Sequence, residues 1–188
     1  EYTPAVANDG RILYCRWDYI DRFNGHFFSL WSTGQDGFNP QLVYGNYTQA
    51  PQATLEPRPI PGSDKIVFTA GAHHSITGGS LVLFDRNRGT EGSAPLVRLT
   101  PEVPFPETEK NIGMYYANPY PLSEDVYLVS CSDRSLPGHT VGQAKRGEVT
   151  EQINPGNAQG LYLYHRSGHL ELLYRDPAIS SMYPLPVR

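Results

Sequence analysis

The residues best suited to chemistry follow three short apolar segments of the chain. His and Asp are the usual ligands of divalent zinc, iron or nickel, and His also transfers protons near neutral pH. Arg beside Asp offers a planar cation and a carboxylate to a small polar ligand. The predicted ligand-binding residues are Arg16, Asp18, Asp21, Asp133 and Arg134, and the predicted metal ligands are His26, His73, His74 and His139.

The same residues also have a purely structural interpretation. Asp and His side chains in loops commonly satisfy backbone groups and form hydrogen bonds between neighbouring sheets. His73 and His74 are adjacent, and adjacent side chains of an extended chain point in opposite directions. Arg16 and Asp18 can form an ion pair between blades while Trp17 packs between sheets. The sequence alone leaves a structural role, a ligand or metal site and catalysis all open.

Familiar catalytic motifs do not assign a reaction. The sequence contains no Gly-x-Ser-x-Gly motif and no glycine-rich phosphate loop leading into a helix. It also contains no Cys-x-x-Cys-His motif, which excludes covalent haem attachment within this chain. No catalytic residue is therefore predicted, and no cofactor is expected within the chain itself. A divalent metal or a haem supplied by another segment remains an open alternative.

A sequence pattern that occurs three times predicts the β-strands that position these residues. In each copy, a turn rich in Pro, Gly and Asp precedes a short apolar run, and the turns begin at Pro4, Pro59 and Pro119. A fourth copy begins at Tyr183. The apolar runs predict the first strands of three repeated units, at 11–17, 65–70 and 126–131.

Repeated units of short antiparallel strands are typical of β-propeller blades. We therefore predict an all-β fold, a β-propeller fragment of about three blades. The predicted blades are residues 4–55, 57–117 and 119–176, with the start of a fourth at 183–188, and a weak outermost strand falls near 49–55. The alternative is a β-sandwich of nine or ten strands, although a sandwich does not need a repeated phrase.

Composition supports strands and limits the functional classes. The 188 residues include 13 Tyr and 7 Phe, which favour strands over helices. A net charge of −4 with scattered Lys and Arg argues against a nucleic-acid surface. No apolar stretch is long enough to predict a transmembrane helix. Aligning the repeats points Cys15 and Cys131 to opposite strand faces, so no disulfide is expected between them.

Several longer phrases resemble a known family. They are Gly10-Arg-Ile-Leu-Tyr-Cys-Arg-Trp-Asp-Tyr-Ile-Asp21, Pro61-Gly-Ser-Asp-Lys-Ile-Val-Phe-Thr-Ala-Gly-Ala-His-His74, Gly78-Gly-Ser-Leu-Val-Leu-Phe-Asp85 and Asn118-Pro-Tyr-Pro-Leu-Ser-Glu-Asp125. Together they resemble the propeller (middle) domain of the hydrazine synthase alpha subunit and its bacterial relatives, and the blade pattern is also similar to TolB-type propellers. The resemblance covers nearly the whole chain.

The resemblance implies a segment of a six-bladed propeller in a larger, exported bacterial protein, in the periplasm or another extracytoplasmic location. The expected function is a scaffold or binding module. Its expected partners are other domains or subunits of the parent protein, or a second copy that completes the ring. The alternative is part of a metal- or haem-dependent redox enzyme in which the His- and Asp-bearing loops line the active site. Because propellers host both roles, the fold alone does not choose between them.

Overall fold

The computed structural model describes residues 2–22, 25–73, 76–109, 113–134 and 157–187. These residues form three four-stranded antiparallel units, the blades of a β-propeller fragment. The predicted all-β propeller fold is therefore confirmed. None of the described residues belongs to a helix long and apolar enough to cross a membrane.

Each blade is an antiparallel meander in which consecutive strands pair. Blade one comprises β1 (Tyr2–Val6), β2 (Ile12–Arg22), β3 (Gly25–Thr33) and β4 (Gln41–Tyr44). Blade two comprises β5 (Ala53–Pro59), β6 (Lys65–Gly71), β7 (Ser80–Asp85) and β8 (Leu96–Arg98), with a short 3₁₀ turn at Arg86–Arg88. Blade three comprises β9 (Tyr115–Pro121), β10 (Val126–Ser132), β11 (Gly160–His165) and β12 (Leu170–Tyr174).

The predicted order of strands within a blade is wrong in one respect. The strands predicted to come first in each repeat are the second strands β2, β6 and β10. An additional strand, β1, β5 or β9, precedes each of them, and β1 contacts β5 just as β5 contacts β9. The residues predicted as a weak outer strand near 49–55 instead lead into β5, the first strand of blade two. We call β1, β5 and β9 the inner strands.

A β-bulge with the same sequence pattern interrupts every inner strand. Thr3-Pro4 lies opposite Tyr14, and Glu56-Pro57 lies opposite Phe68. Asn118-Pro119 lies opposite Val129. The first residue of each bulge has a positive φ, at 51°, 55° and 50° respectively. Proline has no N–H to donate to a ladder, and a bulge turns a side chain out of the regular strand alternation.

Both faces of β6 are buried, and this strand carries the core of the fragment. Ile66 and Phe68 pack toward blade one in a cluster with Leu13, Leu30 and Tyr44. The alternate residue Val67 joins a second cluster with residues of blade three, as expected from the two-residue period of a strand. The blade-three members of that cluster are Tyr115, Tyr116, Tyr127, Val129, Cys131 and Tyr164.

The two cysteines lie in different clusters, both as buried free thiols. Cys15 packs with Phe28, Ala53 and Leu55 between blades one and two. Cys131 packs in the cluster between blades two and three. The prediction that they do not pair is confirmed.

Candidate functional site

The predicted ligand-binding residues Arg16 and Asp18 lie on one face of β2 and pair with each other. The Arg16 Nε atom is 2.8 Å from Asp18 Oδ1. The Arg16 guanidinium also lies over the ring of Trp31 on β3, 4.6 Å from its centroid. These contacts lie within blade one, so the two residues pair with each other but not in the predicted way, between blades.

The predicted metal ligand His73 lies beside the opposite face of β2. Its ring centroid is 5.3 Å from that of Trp17 and 5.2 Å from that of Phe28. The Trp17 and Phe28 rings stack with an interplanar angle of 3°. The His73 backbone N–H donates to Glu107 Oε2 at 2.8 Å. His73 therefore packs between blades one and two, apart from Arg16 and Asp18 across the strand.

The remaining predicted residues are not brought together with His73 by any described contact. Asp133 and Arg134 are exposed at the end of β10, where Asp133 lies 3.7 Å from Arg175 and 3.9 Å from Arg134. His74 and His139 lie outside the described residues, as do the side chains of Asp21 and His26. Among the described residues, no three His, Cys, Asp or Glu side chains form a group that could hold a metal ion. The metal and ligand roles remain predictions.

The structure instead gathers polar groups where the inner strands meet. A cavity of about 330 Å³ opens there, and its wall includes residues of all three inner strands and of the segment 183–185. We call it the inner-strand pocket. It is lined by Thr3, Pro4, Glu56, Arg58, Asn118, Pro119, Tyr120, Tyr183, Pro184 and Leu185.

The same type of hydrogen bond, from a backbone N–H to the side chain of the preceding repeat, recurs among the residues that line this pocket. The Glu56 N–H donates to Thr3 Oγ1 at 2.9 Å, and the Asn118 N–H donates to Glu56 Oε2 at 2.5 Å. The Tyr183 N–H donates to Asn118 Oδ1 at 3.3 Å. Tyr183 also has a positive φ, of 54°, and precedes a proline. The side chain of each bulge residue thus accepts from the backbone of its counterpart in the next repeat.

Glu56 is a buried acid at the centre of this chain of hydrogen bonds. Its residue is 4% exposed, and its carboxylate accepts from the Asn118 side-chain amide and from Thr69 Oγ1 as well as from the Asn118 N–H. Burial raises the pKa of the Glu56 carboxyl, while the hydrogen bonds from Asn118 and Thr69 oppose that rise. These donors occupy the carboxylate, so its main role is to join blade two to blade three.

The side chains that remain available to a ligand come from the position two residues after each bulge residue. Arg58 and Tyr120 occupy this position in blades two and three, and Leu185 occupies it in the fourth copy of the phrase. Arg58 and Tyr120 are half-buried. The positive charge of Arg58 opposes the rise in the pKa of the Glu56 carboxyl that burial causes, but the described residues provide no hydrogen bond to the side chain of Arg58 or of Tyr120. Two donors therefore face a concave pocket whose other walls include proline rings.

Sequence reasoning missed this pocket although its signal was present. The pattern residue-Pro-residue-Pro occurs as Glu56-Pro-Arg-Pro59, Asn118-Pro-Tyr-Pro121 and Tyr183-Pro-Leu-Pro186. Pro59 and Pro119 were interpreted as the beginnings of turns before the first strands, whereas both lie in inner strands. The structural counterpart of Pro4 and Pro119 is Pro57, because each follows its bulge residue directly.

A second cavity, of about 370 Å³, lies between blades one and two, and its lining is more polar, with the charged residues Asp9, Arg11, Asp64, Lys65 and Arg86. Its Arg11 side chain donates to Ser32 and to the Asn39 carbonyl. Its Lys65 ammonium pairs with Glu124 at 2.6 Å. The inner-strand pocket differs in having prolines and a leucine in its wall with only a few polar groups, which is the usual composition of a small-ligand pocket.

Comparison with known proteins relates this chain to one solved structure by fold. No family model and no curated protein matches the chain. Hydrazine synthase of Kuenenia stuttgartiensis superposes on 100% of the chain with a TM-score of 0.68 and 20% sequence identity. The chain spans 22% of the length of that protein chain. Similarity at this identity shows a shared propeller-like fold.

Proposed function

We propose that this chain is a non-catalytic scaffold and binding module within a larger exported bacterial protein. The observation that carries the proposal is an exposed apolar surface on blade three. The outermost strand β12 exposes Leu172, Leu173 and Tyr174 by 52–55%. Leu172 and Tyr174 lie opposite the adjacent β11 residues Tyr162 and Leu161, so the exposed apolar side chains lie on both faces of this outer edge. Isolated exposed apolar side chains are ordinary, but three successive ones on an outermost strand mark an interaction surface.

The corresponding strands of the other blades support this interpretation. Leu42 and Val43 of β4 are half-buried, as are Leu96 and Val97 of β8. Apolar residues at the outer edge of a blade are thus partly covered in blades one and two. We propose that another domain or subunit of the parent protein covers the equivalent residues of β12, and the 22% coverage of the hydrazine synthase chain supports a larger parent.

Capture of other parts of the parent protein tests the scaffold function. The chain is tagged and mixed with purified segments of its parent, and we expect one segment to be retained. The double variant Leu172→Lys/Leu173→Lys should lose that capture, because it places two charges on the surface. The control Phe38→Lys, at a 75% exposed position in the β3–β4 connection, should keep it. Capture that survives the double variant would contradict the proposal.

The redox-enzyme alternative requires a separate measurement. His73, the one predicted metal ligand whose side chain the structure describes, packs against two aromatic rings and does not fit a metal centre on its own. Metal analysis of the wild-type chain and of a His73→Ala/His74→Ala variant tests the alternative directly. Stoichiometric metal that disappears in the variant, or a spectral change on mixing with haem, would favour the enzyme over the scaffold.

Mass in solution tests whether a second copy completes the ring. The β12 surface is also available to another copy of the chain, and a concentration-dependent dimer would identify that partner. The double variant should then be a monomer at every concentration. A wild-type monomer would leave the other domains of the parent as the proposed partners. The periplasmic or extracytoplasmic location follows from the resemblance, and cell fractionation of the full-length parent tests it.

A further inference from the structure

The inner-strand pocket has the size and the available donors of a small-ligand site. Ligand pockets of proteins are typically about 300 Å³ or larger, with mainly apolar walls and a few convergent polar groups. This pocket of about 330 Å³ has Pro4, Pro119, Pro184 and Leu185 in its wall. It therefore combines apolar walls with a small number of polar side chains.

The polar side chains differ in what they can offer a ligand. Glu56 and Asn118 hydrogen-bond with each other and with their neighbours, so they hold the blades together. Arg58 and Tyr120 have no hydrogen-bond partner among the described residues. A guanidinium can donate two parallel hydrogen bonds to a carboxylate, and a phenol can donate one more. The Arg58 guanidinium carries a fixed positive charge and only donates, so it selects an acceptor that carries negative charge.

The bulges explain why these two side chains reach the same pocket. A bulge adds one unpaired residue to a strand and changes the direction of the side chains that follow it. Arg58 resumes regular pairing opposite Val67, directly after the Glu56-Pro57 bulge. Tyr120 resumes pairing opposite Leu128 after the Asn118-Pro119 bulge. The hydrogen bonds between Glu56 and Asn118 fix the two bulges relative to each other, which holds Arg58 and Tyr120 in place.

We propose that the inner-strand pocket binds a small organic carboxylate, with Arg58 and Tyr120 donating to its oxygens and the proline-rich wall contacting its apolar body. This proposal deepens the proposed binding function. It does not depend on the β12 surface, because the pocket lies where the inner strands meet. Organic carboxylate and inorganic phosphate share the charge that Arg58 recognises, but only the carboxylate carries an apolar body for the proline wall.

Isothermal titration calorimetry with benzoate tests the site in the chain as it stands. We expect benzoate to bind, and the neutral isostere benzamide and inorganic phosphate to bind at least about tenfold more weakly. Arg58→Gln should weaken benzoate binding by about tenfold or more. The control Arg88→Gln, at an exposed position on the 3₁₀ turn, should leave it unchanged.

A second variant keeps the test valid if Arg58→Gln does not fold. Tyr120→Phe retains the ring and removes only the hydroxyl, so it should weaken benzoate binding severalfold without changing the unfolding midpoint. The proposal is overturned if benzoate produces no binding heat at about 10 mM, or if phosphate binds as tightly as benzoate. Binding that is unaffected by both variants would also overturn it. Loss of capture by the β12 variant with intact benzoate binding separates this site from the scaffold surface.

Discussion

The carboxylate of Glu56 in blade two accepts hydrogen bonds from both the backbone N–H and the side-chain amide of Asn118 in blade three. Thr3 accepts from the Glu56 N–H in the same way, and Asn118 accepts from the Tyr183 N–H. Each of these residues has a positive φ and precedes a proline. A backbone N–H that leaves the regular ladder at a bulge is thus satisfied by the neighbouring repeat, and the same device joins successive blades.

Removing the Glu56 carboxylate should destabilise the fragment strongly. In Glu56→Ala, the Asn118 N–H and amide and the Thr69 hydroxyl lose a common acceptor. A buried donor left without a partner costs about 1–3 kcal/mol, so we expect the free energy of unfolding to fall by roughly 3 kcal/mol. Urea unfolding measures the change. The control Glu171→Ala, at an exposed position of β12, should stay within about 0.5 kcal/mol of wild type. Equal effects of the two substitutions would contradict this role.

The raised pKa of Glu56 predicts a pH dependence of stability with a defined sign. Burial raises the folded-state pKa above its unfolded value, so the folded state binds more protons between these two values. The contribution of Glu56 to stability is therefore fully present below the ordinary glutamate pKa and is lost as pH rises through the raised value. The glutamine side chain in Glu56→Gln does not titrate, so this variant serves as the reference for the pH dependence.

Urea unfolding of wild type and Glu56→Gln from about pH 4 to about pH 8 measures this contribution. The difference in unfolding free energy, wild type minus variant, should decrease as pH rises. The reference matters because Glu124 acts in the opposite direction: Lys65 and Ser63 lower its pKa. The stabilisation that Glu124 contributes is lost as pH falls. Because wild type and Glu56→Gln both contain Glu124, this contribution cancels when their unfolding free energies are subtracted. A difference that grows with pH would show that Glu56 titrates below its ordinary range.

The fold could be predicted from sequence because the repeated sequence pattern contains the apolar residues of buried strands. Runs such as Lys65–Gly71 alternate residues that face two different clusters, and they recur with turn residues before them. The inner strands were missed because Pro59 and Pro119 were interpreted as the beginnings of turns, and proline is typical of turns when no neighbouring strand is known. Only the pairing with β6 and β10 shows that these prolines lie within strands.

The candidate site was harder to predict for a different physical reason. Arg16, Asp18 and His73 attracted attention because of their chemical types, yet neighbouring side chains engage each of them. Arg58 is available to a ligand only if no neighbouring group accepts its hydrogen bonds. Those neighbours belong to different blades, so they are known only once the blades are placed together. The residue-Pro-residue-Pro pattern locates the pocket along the chain, but side-chain availability needs coordinates.

Both thiols should be protected from reagents while the chain is folded. Burial raises the pKa of Cys15 and of Cys131 to about 12, and the thiolate is the reactive species. We expect negligible reaction with Ellman's reagent near pH 8 in the native state, and the release of two thiols per chain after unfolding in urea. Rapid reaction of the native protein would show that one of the two clusters opens.

The contact between Gly79 and Tyr116 gives the sharpest test of how blades two and three are joined. Their backbones exchange two hydrogen bonds of 2.9 Å each. A Cβ added to Gly79 would lie 2.0 Å from the Ala70 carbonyl oxygen, which belongs to the backbone of β6. Gly79→Ala must therefore displace either β6 or this bridge. We expect the free energy of unfolding to fall by about 3 kcal/mol.

Gly113→Ala provides the matched control for this change. A Cβ at Gly113 meets no atom within 4 Å, and its φ does not lie in the left-handed region. The same substitution there should leave stability within about 0.5 kcal/mol of wild type, or raise it slightly by restricting the unfolded chain. Urea unfolding compares the two variants. If Gly79→Ala were as stable as Gly113→Ala, the close approach of Gly79 to β6 would be wrong, and the junction between blades two and three would need a different description.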